Sequence, residues 1–172
     1  MRTCRRSHRK GSAMVEFALA GVASLSLLIM MVQLCIGLWH FHTLAYAAHE
    51  STRYISVHGR GCVTGVTTCS ITVGNIATRL AADAIGLPAS ELNVTLTTDS
   101  GAATACNPLS SCMTDSTRWP PSSNLDNTTG KRVTVSASYV FRHAMFGIWP
   151  GAQVQRFATY YFPAASTQTI VF

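Results

Sequence analysis

No proline interrupts the chain before Pro88; all six lie at that position or beyond. A helix can therefore run unbroken through the first third of the sequence. Charge is equally scarce: Asp, Glu, Lys and Arg make up 12% of the chain, and none stands between Phe17 and Trp39. Of the seven carboxylates, those beyond Glu16 are scattered. The sequence has no His-Glu-x-x-His, no Cys-x-x-Cys, no Gly-x-Ser-x-Gly and no glycine-rich phosphate loop. His40 and His42, two apart, point in different directions on a helix and cannot share a metal. These absences argue against an enzyme, and no cofactor is expected.

What charge there is lies at one end. Arg2, Arg5, Arg6, Arg9 and Lys10 account for five of thirteen Lys and Arg; the remaining eight face seven carboxylates, so residues 11–172 carry a net +1. The basic pI therefore describes a tail. No basic stripe interleaved with aromatics remains to bind nucleic acid, and Lys131-Arg132 reads as a strand edge. A basic tail ahead of an apolar run instead sets topology: the N-terminus is expected in the cytoplasm, with the C-terminal part exported.

The apolar run, Phe17 to Trp39, is about 23 residues and reaches roughly 34 Å as a helix. That is enough to cross a hydrocarbon layer of about 30 Å, so membrane lipid is the first expected partner. Glu16 is the anomaly. A carboxylate at mid-bilayer costs about 2.5–3.5 kcal/mol, and less toward the interface where Glu16 sits. Taken alone it could snorkel to the headgroups and favour the positive end of the helix dipole. A secretory signal peptide competes as a reading, since Ala45-Tyr46-Ala47 has a small-x-small form. The apolar run, however, exceeds the usual ~7–15 residues of such a peptide.

The junction itself, a basic tail followed by Gly11-Ser12-Ala13-Met14-Val15-Glu16-Phe17-Ala18-Leu19, resembles a type IV pilin leader. With Ala45-Tyr46-Ala47-Ala48-His49-Glu50-Ser51-Thr52-Arg53-Tyr54 beyond the span, it is similar to the TadE-like pseudopilins of tight-adherence (Flp-type) pilus systems. Ala20-Gly21 departs from relatives that place a proline soon after Phe-Ala-Leu. The resemblance implies cutting after Gly11 by a prepilin peptidase on the cytoplasmic side, which frees the amine of Ser12. It implies that Glu16, next to Phe17, meets that amine on an adjacent subunit. An α-amine, with a reference pKa of about 7.7–8.0, is mostly cationic at neutral pH, so two groups costly to bury singly match each other. It also implies pilin-like subunits and pilus assembly machinery as partners, and a role as a minor or accessory subunit that builds or tunes a surface filament used in cell adhesion. The alternative is an uncut, signal-anchored exported domain that binds another envelope component.

The expected organisation is a leader (1–11), a transmembrane helix (12–39) in the inner membrane, and an exported α+β domain (40–172) facing the periplasm or exterior. The helix should continue to Val57 as a spine over residues 40–57, roughly 46 residues and 69 Å from Ser12. Leu38, Phe41, Leu44, Ala45, Ala48 and Ile55 are expected on its inner face. Asn75 is expected to cap a short helix with a stripe of Ile76, Ala77, Leu80, Ala81, Ala84 and Ile85, ended by Gly86 and Pro88. Alternation predicts antiparallel strands at Leu92–Leu96 and Val133–Phe141, and a third at Val154–Phe162 stopped by Pro163. Thr169–Phe172 could add an edge strand, making three to four strands in all. Ser100 to Gly130 reads as a loop of about 31 residues, a length that is usually functional or disordered. On the exported side Cys106 with Cys112 and Cys62 with Cys69 are expected to pair locally, although four cysteines allow three connectivities. Trp119, next to Pro120-Pro121, either folds back onto the sheet or contacts another pilus component.

Overall fold

With no proline to break it, the N-terminal stretch forms a single helix, α1 (Arg9–Val57), 49 residues long in the computed structural model. The structure describes residues 9–58, 71–122, 125–141 and 160–171. After α1 come α2 (Val73–Asp83), β1 (Leu92–Thr98), β2 (Ala103–Cys106), a 3-10 turn (Leu109–Cys112), β3 (Arg132–Phe141) and β4 (Tyr160–Thr169). The four strands form one antiparallel sheet in the order β2-β1-β3-β4. The expected plan, a long apolar helix leading into a small head with a short helix and an antiparallel sheet, is the one observed.

Alternation decides which face of the sheet is covered. Leu92, Val94 and Leu96 of β1 and Val133, Val135, Ala137, Tyr139 and Phe141 of β3 are buried, while the Ser and Thr between them are only partly so. The outer half of α1 lies over β3 and β4, and α2 packs beside α1 and on the 3-10 turn. Each large aliphatic side chain withdrawn from water here contributes about 1.5–3 kcal/mol. The face of α1 that meets the sheet is built of Leu44, Ala47, Ala48, Ser51, Thr52 and Ile55. Small side chains at four-residue spacing let helix and sheet approach closely, and the Thr52 hydroxyl satisfies itself on the Ala48 carbonyl at 2.6 Å. Leu38 departs from the expected inner face: it is half exposed, because residue 38 lies on another side of the helix from Leu44 and Ala48.

The cap of α2 is Thr72 rather than Asn75: the Thr72 hydroxyl accepts from the Asn75 amide at 3.2 Å. The first two helical amides go elsewhere, Val73 N–H to the Thr117 carbonyl (2.9 Å) and Gly74 N–H to that of Asp115 (2.8 Å). The helix start is thus fully partnered. Its apolar stripe is as expected except for Ile85, which lies beyond the last turn and is exposed.

Two strand expectations need correction. Residues 103–106, placed in a long loop by their composition, form β2, a hairpin partner of β1 across a turn in which Gly101 takes φ +85°. The last strand is Tyr160–Thr169, so Pro163 lies inside it rather than ending it. β4 is an edge strand, where half the backbone N–H groups have no ladder partner and a proline is tolerated. Residues 154–159 of the expected strand lie outside the described residues. The chain's end continues β4 instead of adding a fifth strand: the Ile170 amide donates to Lys131 and the Val171 amide to Ser56 at the end of α1.

Candidate functional site

The junction at the start of α1 is helical: Gly11 and Ser12 belong to its first turn, and Glu16 follows one turn later, exposed. Four residues correspond to roughly 6 Å of rise, so Ser12 and Glu16 fall on one side of the helix. Phe17 is exposed beside Glu16.

From Ala13 onward α1 is long and apolar enough to cross a membrane, and the head buries none of its most apolar stretch. Met14, Phe17, Leu19, Val22, Leu25, Leu28, Met31 and Leu34 are all exposed. Cys35, the free cysteine among the described residues, is exposed in the same stretch.

Among the described residues the head closes on α1 at Gly37, which lies against the Phe141 ring. Just beyond, the His40 ring stands edge-on to Tyr139 and Phe141 at centroid distances of 5.6 Å each. Phe162 packs on Phe41 and Phe141 at 6.0 and 5.7 Å. Trp39 lies on Gly86 at the turn after α2. An aromatic collar thus surrounds α1 where it leaves the head. Residues 13–36, none of which is buried, number about 24 and span roughly 36 Å as a helix, close to the hydrocarbon thickness. Trp and His side chains with an apolar body and a polar tip suit the boundary at residues 39–42. Sequence reasoning found the span but missed this collar; the available signal was Gly86, taken only as a helix stop.

The far end of the sheet is polar. Asp99, in the β1–β2 turn, accepts from Arg132 (3.0 Å) and from Lys131 (3.5 Å). The Arg132 hydrogen bond, first, and Lys131 with it hold the Asp99 carboxyl below the usual carboxylate range. Lys131-Arg132 is therefore a strand edge tied to a turn. Asp126, fully buried, accepts from the Thr98 hydroxyl (2.8 Å), the Ser100 hydroxyl and the Ser100 amide (3.3 Å). Among the described residues no three or more His, Cys, Asp and Glu side chains group as a metal site would require.

Cys106 and Cys112 form a disulfide, as their proximity suggested. Cys62 and Cys69 lie outside the described residues. Trp119 is a correction to the contact reading: at 3% exposure it sits in the core, its amide bonded to the Ile71 carbonyl at 3.1 Å. The neighbouring Thr72–Arg118 bridge pulls this segment under α2, so the indole serves the fold and is not presented to a partner.

The TadE-like protein family matches residues 11–53. The match opens at Gly11, takes in Glu16 and the whole free span, and ends within the spine, leaving the head outside it. No curated protein and no solved structure matches the chain.

Proposed function

We propose that this chain is a single-pass pseudopilin of a tight-adherence pilus system, with no catalytic role of its own. It is cut after Gly11 by a prepilin peptidase and assembles through Glu16. The observation that carries this reading is that the TadE-like match covers one uninterrupted helix in which Gly11, Glu16 and a head-free apolar stretch of bilayer length follow in order. In this reading the N-terminus is cytoplasmic and the head lies on the periplasmic or outer side, as the basic tail favours.

The assembly step follows from electrostatics at the membrane edge. Cutting after Gly11 leaves a cationic amine on Ser12, one helical turn before Glu16. When the amine of one subunit meets the carboxylate of another, neighbouring helices shift along each other by about four residues, roughly 6 Å. Each charge then has its partner in a medium that penalises either alone. The other members of such an assembly are pilin-like subunits and the machinery that inserts them, and its outcome is a surface filament or a regulator of one, acting in adhesion.

Intact mass of the protein taken from its native membrane tests the reading. Loss of residues 1–11 is expected; a full-length chain would leave a signal-anchored domain instead, and loss through Ala47 would make it a secreted protein. Gly11→Leu should block the cut while leaving insertion intact. Glu16→Ala should insert and be cut yet fail to enter the assembly. Normal assembly of that variant would rule out the pairing.

A further inference from the structure

The turn that follows α2 occupies an unusual place. α2 runs antiparallel to the outer half of α1: Arg79 lies beside Glu50 (3.9 Å), and seven residues later the backbone of Gly86 rests on Trp39. A methyl group built on Gly86 would stand 2.8 Å from Trp39 Cη2, so the turn is pressed onto the indole, and its φ of +84° admits glycine without strain. The Ala84–Pro88 turn is therefore held at the level of residue 39, where α1 passes from the head-free apolar span into the head. The turn carries no charge, and its tip, Ile85, is 67% exposed although α2 buries the rest of its stripe. Beside it Trp39 is 51% exposed, and the apolar residues that precede it in α1, Leu34, Ile36 and Leu38, are exposed as well. The charges nearest the turn are Asp83, paired with Arg79 at 3.1 Å, and Glu91 just before β1, while the opposite end of the head carries Asp99, Lys131 and Arg132.

We propose that the Ala84–Pro88 turn is a second membrane contact, with Ile85 entering the boundary between headgroups and acyl chains next to Trp39, so that the head is seated on the bilayer surface instead of swinging above it. Continuity with the lipid-facing span selects lipid as the occupant. An isoleucine at the tip and an uncharged turn suit that boundary, and an aromatic anchor beside them fixes depth. Two contacts, the span and the turn, set both the depth and the rotation of α1 about its own axis. Rotation is what decides which side of the helix a neighbouring subunit meets. This inference rests on the reading of α1 as a membrane span.

The test uses the full chain in nanodiscs of phosphatidylcholine and phosphatidylglycerol, with a spin label attached through a genetically encoded ketone side chain so that the cysteines are untouched. Labels replace Leu28 in the span, Ile85 in the turn and Val171 at the far end of the head, positions of similar exposure in the structure (60%, 67% and 56%). Accessibility to oxygen, which enters lipid, and to a water-soluble nickel chelate gives the depth of each. Position 28 should be deep in lipid and position 171 in water, with the oxygen-to-nickel ratio at position 85 several-fold above that at 171. A ratio at 85 equal to that at 171, with 28 still deep, overturns the seat while leaving the span intact. A nickel-accessible label at 28 overturns the span, and the seat falls with it.

Discussion

Gly37 and Phe141 are matched across the place where helix and head meet: a Cβ on Gly37 would lie 3.4 Å from Phe141 Cε1, in ordinary contact, with no room beyond it. Phe141 is the last residue of β3, buried in the collar with the His40 ring edge-on to it and the Phe162 ring tilted against it. Gly37→Ala should therefore be tolerated, and can gain up to about 1 kcal/mol of helix propensity. Gly37→Leu must displace the ring and should cost about 1–3 kcal/mol, the usual penalty for overpacking. Thermal melts of the detergent-solubilised protein, with near-UV circular dichroism reporting on the aromatics, separate the two. Equal melting of the alanine and leucine variants would mean that the ring does not close on this glycine.

Gly74 is a stricter case because its neighbours are backbone. A methyl group there would come within 2.7 Å of the Met113 carbonyl oxygen and 2.8 Å of that of Asp115. Those carbonyls belong to the segment that receives the first amides of α2. Gly74→Ala must push the segment away and forfeit those bonds, at roughly 1–3 kcal/mol. Thr72→Ala, which removes only the cap, should cost about 1 kcal/mol. Urea unfolding should rank Gly74→Ala as the worse of the two; the reverse order would contradict the docking of this helix start.

Much of this architecture is written in local pattern. The span, the spine, and the inner faces of β1 and β3 follow from periods of 3.6 and 2, because burial on one side leaves that signature. The parts that escaped depend on distant partners. β2 has only four residues of Ala, Thr and Cys, which carry no strong strand preference alone and pair only because β1 lies across the Gly101 turn. Thr72 outranks Asn75 as a cap because Thr117 and Asp115 hold the helix start one turn earlier. Pro163 reads as a stop unless the strand is known to be at an edge. Trp119 looked unpartnered because its neighbours, Ile71 among them, lie far away in the chain. At the candidate site, Gly11 and Glu16 were visible as an odd glycine and an odd charge, whereas the meeting of Trp39 with Gly86 joins two elements, and Gly86 by itself reads only as a helix stop.

The Cys106–Cys112 disulfide closes a short loop, with a sequence separation of 6. On the chain-entropy account a loop of that size stabilises by about 2 kcal/mol. Both cysteines are buried in the hydrophobic core, so replacing the pair by serines also puts hydroxyls among apolar neighbours. The Cys106→Ser/Cys112→Ser protein should lose at least that much stability yet keep its sheet, since β1 and β3 pair without it. Far-UV circular dichroism and urea unfolding of the oxidised, reduced and double-serine forms check this. A reduced form as stable as the oxidised one would remove the disulfide from the list of what holds this hairpin.

Acid should loosen the far end of the head most, and Asp126 is the reason. Hydrogen bonds from the Ser100 hydroxyl, then from the Thr98 hydroxyl and the Ser100 amide, with Lys131 nearby, hold its carboxyl below the usual carboxylate range despite the opposing effect of burial. Hydrogen bonds from Thr117 lower Asp115, and the Arg132 hydrogen bond together with Lys131 lowers Asp99. In each case the unfolded chain takes up a proton at higher pH than the folded one. The stabilisation is complete above the unfolded carboxylate value of about 3.9 and is lost as pH falls through the lower folded value. Melting temperature should accordingly decline gently from pH 7 to about 5, where burial holds the His40 imidazole below its ordinary value and the unfolded chain takes up that proton first, and drop steeply below about 4. Asp126→Asn keeps one acceptor oxygen but gives up the charge, so it should melt lower at pH 7 and show a shallower acid decline, with the Asp99 and Asp115 shares still present. If parent and variant declined in parallel across that range, the acid sensitivity would lie elsewhere, and the Thr98–Ser100–Asp126 cluster would act through shape alone.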